Sequence, residues 1–140
     1  MGQSDFFISE VVFGKEGYAV VTNGSSEPAD PDGMFLCQFP AYPEIPGGEL
    51  APGESVRVAG SDLGVLYGES GEVALYLDPD WSNPDAIAGY VQWGSGGHKR
   101  EEPAVAAGLW QEETFVIVDD APGLVASGPI STTAEAWSKK

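Results

Sequence analysis

Basic side chains are scarce in this chain. Six Lys and Arg stand against 22 Asp and Glu, for a formal net charge of −16 over 140 residues. Nucleic-acid binding draws most of its affinity from neutralising phosphates with Lys and Arg. A surface this acidic repels phosphates and anionic membranes alike, so we expect no nucleic-acid partner and no membrane insertion. No apolar run approaches the ~20 residues of a membrane span. The acids are spread along the chain rather than gathered in a tail, and solubility or a salty habitat accounts for them without any acidic site.

Cysteine is nearly absent. Cys37 is the only one, which excludes an internal disulfide and a cysteine metal cluster. It sits in the apolar run "MFLCQF", where a free Cys behaves as a small buried hydrophobe, with no neighbouring cation in the run to lower its pKa. Histidine is equally scarce. His98 is the sole one, which disfavours zinc catalysis, since that needs about three protein ligands, usually histidines among them. The opening "MGQSDFF" lacks the basic start and apolar core of a secretory signal. Two placements remain: cytoplasmic, or extracytoplasmic with a leader that is not part of this chain.

Glycine and proline, by contrast, are abundant, at 19 and 11. They punctuate the chain every few residues, which disfavours long helices and suits short strands joined by turns. Strands are expected at Phe6–Phe13, Tyr18–Thr22, Met34–Phe39 and Ser55–Gly60. Two more are expected around the Gly-Glu-Ser-Gly turn in "LGVLYGESGEVALYLD", then at Ile87–Gly94, Thr114–Asp120 and weakly in "GLVASG". "PAYPEIPGG" has too many prolines for a central strand. "EEPAVAAGLWQEE" (Glu101–Glu113) has helix-like composition, but Pro103 and Gly108 limit it and we expect a strand or loop. The tail "STTAEAWSKK" reads as an edge or a loosely held end. About eight short strands in a chain of one-domain length predict an all-β, antiparallel β-sandwich spanning residues 1–140.

Alternation then orients one hairpin. Val73, Leu75 and Leu77 share a face, as do Ile87, Gly89, Val91 and Trp93, and both faces should meet the core. Odd residues must therefore pair with odd ones. Centring the loop sets Leu75 opposite Val91, Val73 opposite Trp93, and Tyr76 opposite Tyr90 on the outer face.

The connection "PDWSNPDA" is rich in Asp, Asn and Pro, as a turn should be. Its alternative role is calcium binding. Ca²⁺ takes six to eight oxygen ligands, and Asp78, Asp80, Asn83 and Asp85 offer four. Their spacing matches no EF-hand, and "DPDG" (Asp30–Gly33) is only a fragment of one. Enzyme signals are thinner still. "GESGE" fails the G-x-S-x-G nucleophile pattern, because Glu72 stands at its last position. Glu101 and Glu102 form a carboxylate pair of the type that serves glycosidases, but adjacency means little among 22 acids. His98 lies in "WGSGGHKREE" beside Lys99 and Arg100. As the only adjacent internal cations of an acidic protein, these are candidates for partner contact, together with Trp81 of the acidic loop.

The order of motifs adds a resemblance. Ile8–Val11 (Ile-Ser-Glu-Val), a strand ending in Asn23, the Asp30–Gly33 turn, the Leu50–Glu54 turn (Leu-Ala-Pro-Gly-Glu) and the Ser70–Tyr76 hairpin limb follow one another as in the lamin-tail domain family. The chain resembles that family over about residues 6–94; residues 95–140 extend beyond it as further strands and a tail. The resemblance implies an immunoglobulin-like β-sandwich. It further implies a non-catalytic interaction or structural module, bacterial and extracytoplasmic or secreted, with no catalytic residues and a protein or cell-surface partner. The acidic hairpin loop is longer than the family's usual one. Two alternatives stand beside this expectation: a Ca²⁺-stabilised extracellular domain binding carbohydrate or protein, and a small hydrolase. A monomer or weak homodimer is expected, since the acidic surface opposes self-association while open strand edges permit it.

Overall fold

Alternating apolar residues in "FFISEVV" and "YAVVTN" form the first hairpin. In the computed structural model, which describes residues 5–140, β1 (Phe6–Val12) and β2 (Tyr18–Asn23) pair antiparallel, with Ile8 opposite Val21 and Val11 opposite Ala19. These four side chains are buried in the core. β3 (Phe35–Cys37), β4 (Ser55–Ala59), β5 (Gly71–Tyr76), β6 (Ile87–Trp93), β7 (Gly123–Ala126) and β8 (Trp137–Lys139) follow, with one short helix, α1 (Glu101–Ala106).

The strands form two antiparallel sheets, ordered β4-β2-β1-β7-β8 and β3-β5-β6. This is the expected β-sandwich. One buried apolar cluster joins the layers. Gly89 of β6 faces Leu75 of β5 and Ile8 of β1, and the Trp93 ring lies 5.2 Å from Phe13. The tail is the edge strand β8, anchored by buried Trp137. "PAYPEIPGG" runs along the margin of β3, joined by single bridges such as Phe35–Glu44. No helix among the described residues is long and apolar enough to cross a membrane.

Several expectations are corrected. The β5–β6 hairpin does pair odd residues with odd ones, but two residues away from the centred register. Val73 faces Val91, Gly71 faces Trp93, and an irregularity between Leu75 and Tyr76 sets Tyr76 opposite Ile87. The loop is not symmetric: Leu77 N–H donates to Ala86 O and Ala86 N–H to Asn83 O, so the turn closes early on its second limb. The outer face of the small sheet is not solvated either. Tyr76 and Tyr90 are both buried: Trp81 meets the Tyr76 ring edge-on and its backbone O accepts from the Tyr76 hydroxyl, while Trp110, on an excursion over residues 95–118, meets the Tyr90 ring. That excursion contains the helix which Pro103 had argued against. Pro103 is the third residue of α1, within the first turn, where its missing N–H has no intrahelical role.

Two expected strands also fall short. Residues 60–63 form a 3₁₀ turn, and the rest of the limb before the Gly-Glu-Ser-Gly turn contributes one bridge, Leu66 to Gly14. Thr114–Asp120 contributes one parallel bridge, Val116 to Trp93.

Candidate functional site

Loops from both sheets meet at one end of the sandwich. Gly14 N–H bonds Leu66 O, Gly60 N–H bonds Gly17 O, Phe13 N–H bonds Pro122 O and Gly94 N–H bonds Val116 O. The Gly71–Trp93 pairing brings the residue before β5 close to the loop after β6. Ser70 Oγ thus lies 2.6 Å from Ser95 Oγ and 3.0 Å from His98 Nε2, with Ser95 Oγ 3.5 Å from the same nitrogen. Gly94 makes this approach possible. Its φ is +77°, and a Cβ there would stand 1.8 Å from Glu69 O.

A groove runs beside the Ser-Ser-His cluster. It is lined by Phe39, Val65, Tyr67, Ser70, His98 and Lys99 among others. Phe39 and Tyr67 are about half exposed, and the Lys99 ammonium sits 5.3 Å from the Phe39 ring centre. Val65, a β-branched residue at φ +68°, is held there by its neighbours. Gln38 Nε2 donates to Leu63 O at 2.6 Å and Val65 O at 3.0 Å, and Val65 N–H donates to Gly60 O. Left-handed backbone at such a residue costs about 1–3 kcal/mol and persists only where the surroundings fix it.

The four expected contact residues separate into two pairs. His98 and Lys99 line the groove. Arg100 is only 5% exposed, and its guanidinium turns under the aromatic layer of the small sheet. Nη2 donates to the Tyr42 hydroxyl at 2.7 Å and Nη1 reaches Trp81 O at 3.5 Å. Trp81 stacks on Tyr42 at 4.4 Å and meets Tyr76 and Phe35 edge-on. Arg100 and Trp81 therefore cap the outer face. Burial in this layer pushes the Tyr76 hydroxyl far above its ordinary pKa and the Cys37 thiol up to about 11.

Beside that layer lies a polar network. Glu72, 2% exposed, accepts from the Tyr90 hydroxyl and the Arg100 backbone N–H, both at 2.9 Å. Tyr90 Oη also lies 2.9 Å from Gln92 Oε1. Gln92 Nε2 donates to Glu101 Oε2 at 2.9 Å and Thr114 O at 2.7 Å. Glu101 further accepts from the backbone N–H groups of Gly97 and Glu113. The first member of the Glu101–Glu102 pair is thus an anchor for the excursion, while Glu102 is exposed.

The acidic loop satisfies itself in part. Asn83 Nδ2 donates to Asp80 Oδ2 at 3.1 Å, and Asn83 Oδ1 accepts from Asp85 N–H at 2.9 Å. Asp78, Asp80 and Asp85 are exposed. Among the described residues, no three His, Cys, Asp or Glu side chains gather as a metal site.

Protein-family models, curated proteins and solved structures were all compared with this chain, and none matches. The Ser70–Ser95 contact and the exposed Phe39 and Tyr67 are absent from the sequence reading. Register alone would not have exposed the first: pairing Gly71 with Trp93 sets Ser70 opposite Gly94, and the left-handed turn at Gly94 carries Ser95 back to Ser70.

Proposed function

We propose that the chain is a non-catalytic interaction module of the lamin-tail type. It works outside the cytoplasm and binds a protein or cell-surface partner at the loop end of the sandwich. The observation that carries this reading is the groove in which exposed Phe39 and Tyr67 flank Lys99 and His98. Exposed aromatics beside a cation are the residue types that anchor interfaces.

The Ser70–His98 distance favours a second reading, a hydrolase with Ser70 as nucleophile and His98 as base. A third group orienting the base is part of that machinery. The hydrogen-bond partners of the His98 ring among the described residues are the two serine hydroxyls, both at Nε2. That supports the non-catalytic reading.

One experiment separates them. Turnover of nitrophenyl esters is measured for the parent, Ser70→Ala and His98→Ala chains, alongside saturable binding of the fluorescent chain to cells of its source. We expect no turnover that depends on Ser70, and binding weakened about tenfold by Tyr67→Ala or Lys99→Glu. Ester hydrolysis lost in Ser70→Ala would overturn the module reading.

A further inference from the structure

The segment expected as a strand at Thr114–Asp120 is half-used in the fold. Val116 N–H donates to Gln92 O and Val116 O accepts from Gly94 N–H, both at 3.0 Å, so both polar groups of Val116 face β6. In an extended chain, neighbouring residues point the opposite way. The N–H and C=O groups of Phe115 and Ile117 therefore face away from the sheet, and among the described residues they meet no hydrogen-bond partner. Side chains alternate in step. Val116 and Val118 are buried, whereas Phe115 is 38% and Ile117 63% exposed.

This is an open strand edge with apolar side chains, and its flanks are acidic. Glu112 and Glu113 precede it, and Asp119 and Asp120 follow. A groove beside it has Phe115 and Ile117 as apolar lining with Glu69, Asp119 and Asp120 at its polar margin. Among the described residues, the cation paired there is a lysine of the chain itself, Lys139, whose Nζ is 2.8 Å from Asp119 Oδ2. Flanking charges on an edge strand ordinarily deter other chains. Here they are all of one sign, matching the −16 of the whole protein, so they deter acidic segments and attract basic ones.

We propose that residues 114–118 form a docking edge for an extended, basic segment of a partner protein. The segment adds a strand to the small sheet beside Phe115 and Ile117 and places Lys or Arg against Glu113, Asp119 and Asp120. Backbone bonds supply affinity and the flanking charges supply selection. This rests on the interaction-module reading but uses a different surface from the Phe39–Tyr67 groove.

The test uses the full chain and two labelled nine-residue peptides, KVTVKVTVK and its counterpart with Glu for every Lys. We expect the basic peptide to bind at least about tenfold tighter than the acidic one, with affinity falling as salt rises. Ile117→Lys should weaken it about tenfold without changing the melting temperature, because that side chain is exposed. Amide hydrogen exchange at Phe115 and Ile117 should be fast in the free chain and slowed by the peptide. Equal binding of both peptides overturns the proposal, as does slow exchange at both amides in the free chain. A dimer of the chain that Ile117→Lys dissolves overturns it too, since the occupant is then a second copy. If the edge fails while Tyr67→Ala still weakens cell binding, the module reading survives alone.

Discussion

The Glu72 carboxylate and the Tyr90 hydroxyl meet at 2.9 Å on the face of the small sheet turned away from the core. Neighbouring β5 and β6 carry them, and the same carboxylate holds the backbone at Arg100, where the excursion over the sheet begins. Leaving buried donors without their acceptor costs about 1–3 kcal/mol, more where a charge is involved. Glu72→Ala should therefore destabilise the chain by about 3 kcal/mol and Tyr90→Phe by about 1 kcal/mol. Urea unfolding of the two single variants and the double variant checks this; additive effects would mean the pair is not coupled.

Asn23 gives a second prediction. It is buried, and its side chain bonds Glu27 O and Leu50 O while accepting from Ser25 N–H and Oγ. One residue thereby joins the loop after β2 to the Leu50–Glu54 turn. Asn23→Ala should cost about 2–3 kcal/mol in urea, and Asn23→Asp nearly as much, because a carboxylate cannot donate to the two carbonyls.

Alkaline pH should weaken the fold. Burial raises the Cys37 thiol to about 11 and the Tyr76 and Tyr90 hydroxyls further. A group whose folded pKa lies above its unfolded value contributes stability that is complete below the unfolded value. That contribution is lost as pH rises towards the folded one. For Cys37 the window runs from about pH 9 to about 11. Melting temperature should fall across it, and less steeply in Cys37→Ala. Ellman's reagent should find the thiol only after unfolding.

Calcium is tested by melting curves at millimolar Ca²⁺ and in EDTA. Asn83 already spends its amide on Asp80 and its carbonyl on Asp85 N–H. We expect coincident curves. A ligand at 100 times its Kd adds about 2.7 kcal/mol, so an upward shift of several degrees would establish the calcium-stabilised alternative.

The sandwich was legible because turn residues and alternating apolar runs mark β1, β2, β3, β4, β5 and β6 clearly. The outer face of the small sheet was not. Glu72, Tyr90 and Gln92 sit where solvated residues sit in a half-buried strand. Only contacts with Glu101, Thr114 and Arg100, distant in sequence, turn them inward. Arg100 was misplaced for the same reason: its neighbours His98 and Lys99 stay in the groove, while Tyr42 and Trp81 draw the guanidinium beneath them. Thr114–Asp120 has a strand's composition but keeps only Val116 bonded to β6. Composition records the tendency to extend, not whether a neighbour is present.

The position of β1 between β2 and β7 bears on how the chain reaches this state. Its first neighbour emerges within a dozen residues, but Val125, which pairs with Glu10, lies more than a hundred residues downstream. At ribosomal rates of ~5–20 residues per second, one side of β1 waits roughly 6–23 s for β7. A nascent chain thus carries a half-finished sheet until β7 has been made. Slow closure of that long loop, rather than formation of the early hairpin, should set the folding rate.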